Sequence, residues 1–288
     1  MSRSYLFVPA DSERKLQKAA DCGADALILD LEDAVAADAR PAARELARDY
    51  LQGRDNVWVR INPIDTADAA ADLEAVMPAA PTGIVLPKPR SADDVKVLAS
   101  RLDVLERQYA IDAGRTRILS VCTERPEALF SLHGYRDATP RLAGLSWGAE
   151  DLSAALGASA NRDEAGRWLP PYELARSLCL IAAVAAGVAA VDTVFTDYRD
   201  AKGLAEYASN ARRDGFSGML AIHPAQVDII NAAFVPSARE IERAERIVAL
   251  FAANPGAGTL GLDGAMIDRP HVIQAQRLLK LAAKLKTT

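Results

Sequence analysis

The chain has 288 residues, half of them hydrophobic, which suits one large domain plus an extension better than two ordinary domains. Its net charge of −5 argues against nucleic acid or an anionic membrane as a partner, so any anionic ligand must be held by local clusters of Arg and Lys. Cys22, Cys122 and Cys179 are too dispersed for a disulfide framework or a Cys-based zinc site, and the N-terminal residues enter an apolar run with no signal-peptide pattern; a cytoplasmic protein is expected.

In chain order, the first strand is expected at Tyr5-Leu6-Phe7-Val8, running into Asp11 and Arg14. Asp11 or Ser12 can cap a helix with Leu16, Ala19 and Ala20 on one face. A second apolar run, 26–29, meets Asp30, Glu32 and Asp33, and a helix over 40–51 follows with Pro41 in its first turn. Val57-Trp58-Val59 leads into Arg60 and Asn62, then a helix over 66–77 that Pro78 stops. The run 83–86 leads into Lys88 and Arg90, and Ser91 caps a helix carrying Val95, Leu98, Leu102 and Leu105 at helical spacing. The fifth run, 118–121, meets Thr123 and Glu124 before a helix over 127–135; the sixth, 142–147, meets Glu150 and Asp151. A helix over 171–186 follows, in an alanine-rich stretch too short and too weakly apolar to span a membrane. The seventh run, 191–195, meets Asp197 before a helix over 201–214, and the eighth, 219–222, meets His223 and a short helix opened by Pro224.

Short strands rich in Val, Ile and Leu alternate with helices, the pattern of an α/β protein whose parallel sheet is buried on both faces. Eight strands favour a closed (β/α)8 TIM barrel over an open sheet, with the polar strand ends gathered on one face. The expected division is a barrel over 1–235 and a C-terminal helical arm or lid over 236–288. That arm reads as a charged helix over 240–252, an irregular glycine-rich stretch over 254–264 and a last helix over 271–285. Gly256, Gly258 and Gly261 spell GxGxxG, but a helix precedes them and none follows, so they read as a flexible hinge rather than a dinucleotide fingerprint.

Glu124 and Asp151 lie about one strand–helix unit apart, so neighbouring strands would set them side by side. Two carboxylates without a nearby histidine make an oxygen-only site suited to Mg²⁺. The alternative is that each serves its own helix, Asp151 as a cap and Glu124 by pairing with Arg125. His133, His223 and His271 are the only histidines, and none stands in an HxxxH or HExxH arrangement, which argues against a zinc hydrolase. His223 either faces the site or is buried and hydrogen-bonded. A nucleophile elbow is not expected, although Gly144-Leu145-Ser146-Trp147-Gly148 has the GxSxG spelling, and no GxxxxGK loop is present. Arg60 suits a bidentate grip on a carboxylate or thioester oxygen. Arg3, Arg14 and Lys18 flank the first strand and Lys88 and Arg90 follow the fourth; they either meet phosphates or, for Arg14 and Lys18 especially, remain solvated charge.

Several longer motifs occur in one order along nearly the whole chain. They are Arg3-Ser4-Tyr5-Leu6-Phe7-Val8-Pro9, Asp25-Ala26-Leu27-Ile28-Leu29-Asp30-Leu31-Glu32-Asp33-Ala34-Val35, Val59-Arg60-Ile61-Asn62, Leu86-Pro87-Lys88, Thr123-Glu124, Gly148-Ala149-Glu150-Asp151-Leu152, Ala221-Ile222-His223-Pro224 and Gly264-Ala265-Met266-Ile267-Asp268-Arg269-Pro270. Together they resemble the citrate lyase β-subunit-like proteins, a CoA-ester lyase family in the HpcH/HpaI aldolase superfamily. The resemblance implies a barrel with a C-terminal arm, usually homotrimeric. It implies Mg²⁺-dependent cleavage or formation of a short β-hydroxyacyl-CoA such as citryl-, malyl- or citramalyl-CoA, with acetyl-CoA and an α-keto acid as products. Carried over by motif, Glu124 and Asp151 are the expected Mg²⁺ ligands, and Arg60 grips the substrate and the developing enolate. Glu32 and Asp33 support the site, and Asp268, from a neighbouring subunit's arm, is the acid/base toward the acetyl carbon. Asp268 otherwise reads as a helix cap before Pro270. Arg3, Arg14, Lys18 and Lys88 form the expected CoA side. Two departures stand out: Ala10 where many relatives have glycine, and Arg125-Pro126-Glu127 where many have small residues. A malyl-CoA-type thioester hydrolase, and the β subunit of a citrate lyase complex acting on a carrier-protein thioester, are the other expectations.

Overall fold

The computed structural model describes residues 2–286. Eight parallel strands close into a barrel in sequence order: β1 (Ser4–Pro9), β2 (Ala26–Asp30), β3 (Val57–Arg60), β4 (Gly83–Leu86), β5 (Arg117–Val121), β6 (Leu142–Ser146), β7 (Ala189–Asp192) and β8 (Gly218–Ala221). β1 closes the ring by pairing with both β2 and β8. The connecting helices are α1 (Glu13–Ala20), α2 (Arg40–Leu51), α3 (Ala67–Val76), α4 (Ala92–Gln108), α5 (Pro126–Leu129), α6 (Ala149–Leu156), α7 (Pro170–Ala185), α8 (Ala201–Asp214) and α9 (Val227–Ala233). Among the described residues, no helix is long and apolar enough to cross a membrane.

Side-chain alternation divides the strands between two cores. Tyr5, Ala26, Ile28, Trp58, Val85, Leu119, Val121, Val191 and Leu220 pack as one cluster, with Ala143 of β6 against it, so every strand contributes. That is the filled interior of a barrel. Gly83 is part of the fit, because a Cβ there would lie 2.3 Å from the Trp58 ring. The intervening residues, such as Leu6, Leu29, Val59, Ile84 and Ile118, are also buried and face the helix layer. Thr66 and Ser91 cap α3 and α4 by accepting from backbone N–H groups.

Three expectations needed adjustment. β7 ends at Asp192, not Phe195, because the buried Asp192 carboxylate accepts the next backbone N–H, from Thr193, and turns the chain out of the sheet. The remaining apolar residues serve loop packing, with the Phe195 ring 5.8 Å from Tyr207. The helix expected over 127–135 is broken into α5 and a 3-10 segment, Leu132–Asp137. The glycine-rich stretch is partly ordered as a hairpin, described next.

The second compact unit is Ala232–Thr288. It holds α10 (Ala238–Ala252), the antiparallel strands β9 (Thr259–Leu262) and β10 (Ala265–Asp268), and α11 (Arg269–Lys286). Ser237 and Glu240 form a reciprocal cap on α10. Asp263 and Gly264 both have positive φ (51° and 77°), as a two-residue hairpin turn requires. Ala244, Ile247, Ile267 and Ala275 form this unit's own core.

Beneath the strands, Arg141 ties α4 to the barrel. Its guanidinium donates to both oxygens of the buried Glu106, which also accepts from the amides of Gly114 and Thr116. Burial pushes the Glu106 carboxyl up, but these hydrogen bonds outweigh it and hold its pKa at about 2, below the ordinary 4.5. Its stabilisation is therefore complete above pH 4.5 and lost as pH falls through 2. Glu106→Gln is expected to cost about 3 kcal/mol at neutral pH, as breaking a buried ion pair does. Urea titrations should show that deficit shrinking toward acid pH; equal stability at pH 7 would refute it.

Candidate active site

The C-terminal ends of β2, β3, β4 and β5 converge on one charged cluster. Asp30, the last residue of β2, is 1% exposed and accepts from Arg60 Nε (2.7 Å) and Nη2 (2.6 Å) in a bidentate pair. The same carboxylate accepts the amides of Glu32 and Ala34, which shapes the loop carrying Glu32 and Asp33. Arg60 also stacks over Phe7, 4.7 Å from the ring centre, so its plane is fixed from two sides. Its Nη1 lies 3.0 Å from Glu32 Oε2. That contact lacks hydrogen-bond alignment, so the buried Glu32 Oε2 has an ion-pair neighbour but no hydrogen bond.

Lys88 crosses the cluster. Its ammonium lies 2.7 Å from Glu32 Oε1, 2.9 Å from Asp33 and 3.2 Å from Asp151. Its backbone is left-handed (φ 49°), which costs a non-glycine residue conformational energy. The turn aims the Lys88 amide at Glu124 Oε2, 2.5 Å away, while the side chain reaches back over the carboxylates. Glu124 itself is 4% exposed and lies against Gly148, where a Cβ would fall 2.5 Å from Glu124 Cγ. Gly148 precedes α6, whose first turn carries Asp151. The missing side chain at position 148 thus lets the Glu124 carboxylate lie beside the turn that presents Asp151.

Five carboxylates (Asp30, Glu32, Asp33, Glu124 and Asp151) share two cations, Arg60 and Lys88. The imbalance falls on the buried acids. Burial, reinforced by the charges of Asp151 and Glu32, pushes the Glu124 carboxyl well above the usual range, against the pull of the Lys88 amide and Arg60. Burial also raises Glu32 to about 6, although Arg60 and Lys88 oppose it. Both cations are held firmly charged: burial works against them, but Asp30 and Glu32 outweigh it at Arg60, as Glu32, Asp33 and Asp151 do at Lys88. Such a cluster has a deficit of positive charge and one buried carboxylate oxygen, Glu32 Oε2, without a hydrogen bond.

The remaining expected residues divide. Arg3 precedes β1, at the opposite end of the barrel from the cluster, and Asp25 takes its guanidinium at 2.7 Å. The structure therefore does not bring Arg3 to this face. Arg14 and Lys18 are exposed on α1. Arg90 is taken by Asp94 on α4. Arg125 lies 3.6 Å from Asp65 rather than pairing with Glu124. Asp151 stands inside the first turn of α6, so Gly148 and not Asp151 is the cap residue. His223 is exposed, caps the following turn through Nδ1 and stacks on Tyr198 at 4.7 Å. Ala10 is fully buried, its amide bonded to the Asp30 carbonyl. Asp268 lies in the C-terminal unit, at the end of β10 and 2.5 Å from His271. Two contributors were not singled out beforehand: Asp30 as the holder of Arg60, and Gly148 as the cradle of Glu124. An acid directly ending a strand beside a strand ending in Arg was the available signal for the first.

A cavity of about 880 Å³ lies elsewhere, between the 162–169 loop, α7 and α8. Among its lining charges Arg167 pairs with Asp163 and Arg176 with Asp214, and none of the strand-end residues Arg60, Lys88, Glu124 and Asp151 lines it.

Comparison with known proteins bears on this cluster. The HpcH/HpaI aldolase/citrate lyase family matches residues 3–224. A citrate lyase subunit beta-like protein of Mycobacterium tuberculosis is 38% identical over 280 residues, covering 97% of this chain and 95% of that protein. A (3S)-malyl-CoA thioesterase of Cereibacter sphaeroides is 35% identical over 286 residues, covering 97% and 94%. The crystal structure of CitE from M. tuberculosis in complex with magnesium, acetoacetate and coenzyme A superposes with a TM-score of 0.82 at 35% identity, covering 98% of each chain.

The raised Glu32 pKa fixes the sign of a pH effect. With a folded value of about 6 and an ordinary value of 4.5, the folded chain binds more protons than the unfolded one between those limits. This group's contribution to stability therefore falls as pH rises from 4.5 through 6, by about 2 kcal/mol. Urea midpoints measured with a chelator present should decline across that window, and Glu32→Gln should flatten the decline. An unchanged slope in the variant would sink the assignment.

Proposed function

The chain belongs to the HpcH/HpaI aldolase/citrate lyase family, and on that premise we propose that it is a Mg²⁺-dependent CoA-ester lyase. Its substrate is a short β-hydroxyacyl-CoA such as citryl-, malyl- or citramalyl-CoA, cleaved to or formed from acetyl-CoA and an α-keto acid. The observation that carries this reading is the buried Glu124 beside Asp151, in a cluster short of positive charge and bordered by Arg60.

The residues present fit a hard cation. Among the described residues, no three or more His, Cys, Asp or Glu side chains converge as a complete cage. A pair of carboxylates suits Mg²⁺, which keeps waters and leaves positions for substrate oxygens. Glu124 and Asp151 would hold it, and Glu32 Oε2, which has no hydrogen bond, would be available to accept from a water in the site. Bound there, the ion would act as a Lewis acid on the keto-acid oxygens.

The protein's own groups do the rest. Arg60 commits Nε and Nη2 to Asp30, so its direction is set before substrate arrives, and its remaining N–H edge meets the oxygen on which enolate charge develops. Lys88 acts within the acid cluster rather than at a distant phosphate, balancing Glu32, Asp33 and Asp151. Arg14 and Lys18, exposed on α1, remain the cations proposed to meet CoA. Asp268, contributed by a neighbouring copy in a homotrimer, exchanges a proton with the acetyl carbon. Three unpaired cysteines suit a cytoplasmic setting, and the negative net charge suits neither nucleic acid nor a membrane as partner.

Thioester hydrolysis is a second reading, favoured by the 35% identity to (3S)-malyl-CoA thioesterase. A third is action as the β subunit of a citrate lyase complex on a carrier-protein thioester, since a citrate lyase subunit beta of Leuconostoc mesenteroides is 32% identical. Assaying the purified protein with Mg²⁺ against the three CoA esters and a carrier-protein thioester separates them. A lyase releases acetyl-CoA and a keto acid, a hydrolase releases free CoA, and activity only on a carrier-bound thioester marks the complex subunit.

Glu124→Gln and Asp151→Asn are expected to reduce Mg²⁺-dependent turnover by at least ~10²-fold, with the melting temperature little changed. Gly148→Ala should weaken Mg²⁺ binding in calorimetry by displacing Glu124. Full activity in both carboxylate variants would remove the proposed metal site. Asp268→Asn should be inactive alone and partly restored in mixed assemblies with Glu124→Gln, and no restoration would count against a shared site.

A further inference from the structure

We propose that His271 is the positioning residue for Asp268, holding one carboxyl oxygen so that the other is presented to the acetyl carbon. This rests on the proposed acid/base role of Asp268. The geometry lies wholly within the C-terminal unit. Asp268 ends β10, and His271 stands in the first turn of α11. His271 Nδ1 is 2.5 Å from Asp268 Oδ1 and 3.3 Å from the Asp268 amide nitrogen. Nδ1 serves one of these at a time: unprotonated it accepts the Asp268 amide N–H, and carrying the proton it donates to Oδ1, which is the form the positioning role uses.

An isolated aspartate on a hairpin end has two free side-chain torsions, and a carbon acid demands an aligned proton donor. Misplacement by about 1 Å can cost ~10²-fold in rate. Packing already fixes the backbone here: Ile267 is buried in the unit's core, and Asp268 pairs with Thr259 across the hairpin. The histidine then fixes the carboxyl. Side-chain exposures of 31% for Asp268 and 41% for His271 leave the pair open to a substrate.

The step balances within the pair and the substrate. In the synthetic sense of the half-reaction, the C–H bond of the acetyl group breaks, its electron pair becomes the enolate, and the proton goes to Asp268 Oδ2. In the reverse sense, the Oδ2–H bond breaks, the enolate electron pair forms the C–H bond, and Asp268 is left a carboxylate. That charge is met at Oδ1 by the N–H of His271 Nδ1. Asparagine at position 271 would place a donor N–H close to where Nδ1 stands, and leucine would not.

The test uses the full-length protein and acetyl-CoA in D₂O with Mg²⁺, following methyl-proton exchange by mass spectrometry, alongside steady-state turnover of malyl-CoA. His271→Leu should lower the exchange rate and kcat by ~10²-fold with KM for the CoA ester changed less than about threefold. His271→Asn should recover most of that loss. A helix-capping role alone would move the melting temperature and leave this split absent. Unchanged kcat and exchange in His271→Leu would overturn the proposal. So would a loss that His271→Asn fails to recover. Wild-type protein that neither exchanges nor turns over the ester would instead overturn the acid/base reading of Asp268, and the positioning role would fall with it.

Discussion

Arg60 and Asp30 meet at the mouth of the barrel through two parallel hydrogen bonds of 2.7 and 2.6 Å, and the rest of the site is arranged around that pair. Asp30 is paired in register with Arg60 across β2 and β3, so sheet geometry alone sets the two side chains side by side. Because Asp30 is almost completely buried, leaving its charge unpaired would be costly, and the guanidinium is locked where it stands. The remaining lone pairs of Asp30 then shape the loop that delivers Glu32 and Asp33.

From this constraint follows the electrostatic character of the site. One guanidinium is largely consumed by one carboxylate, and Lys88 is left to serve three others. Glu124 has only a backbone amide and the edge of the cluster to stabilise its charge, which is why burial prevails there. The left-handed turn at Lys88 and the bare backbone at Gly148 are two local costs accepted for the same end, a buried carboxylate beside Asp151. Cation binding is the simplest relief for such a cluster, and a divalent ion offers the most relief per site.

The C-terminal unit solves a different problem. It has its own small core and ends its hairpin in an acid held by a histidine, a compact mount for one carboxyl group. Its order depends on the Asp263-Gly264 turn, a strong local hairpin signal that lay inside a stretch otherwise dominated by glycine and read as irregular. The seventh strand misled in the opposite sense: Val194 and Phe195 extend an apolar run, but the buried Asp192 had already ended the strand by bonding the next amide.

Local chemistry made much of this protein legible from its residues. Alternating apolar runs and helical patterns specify eight strand–helix units, because period and burial are properties of neighbouring residues. Glu124, Asp151, Arg60 and Lys88 could be picked out for the same reason, since each lies at or within a few residues of the C-terminal end of a strand. What no local pattern carried was which partner each charge would take. Arg3 and Arg60 look alike in sequence, yet one precedes its strand and is taken by Asp25 at the far end, while the other ends its strand at the mouth. Lys88 points into an acid cluster because a left-handed turn sends it there, and Glu124 fits only because position 148 has no side chain. The residues determined the barrel and the identity of its polar groups; the tertiary structure decided the partners, because ion pairing depends on strand register and loop geometry that bring residues from separate strand–helix units together.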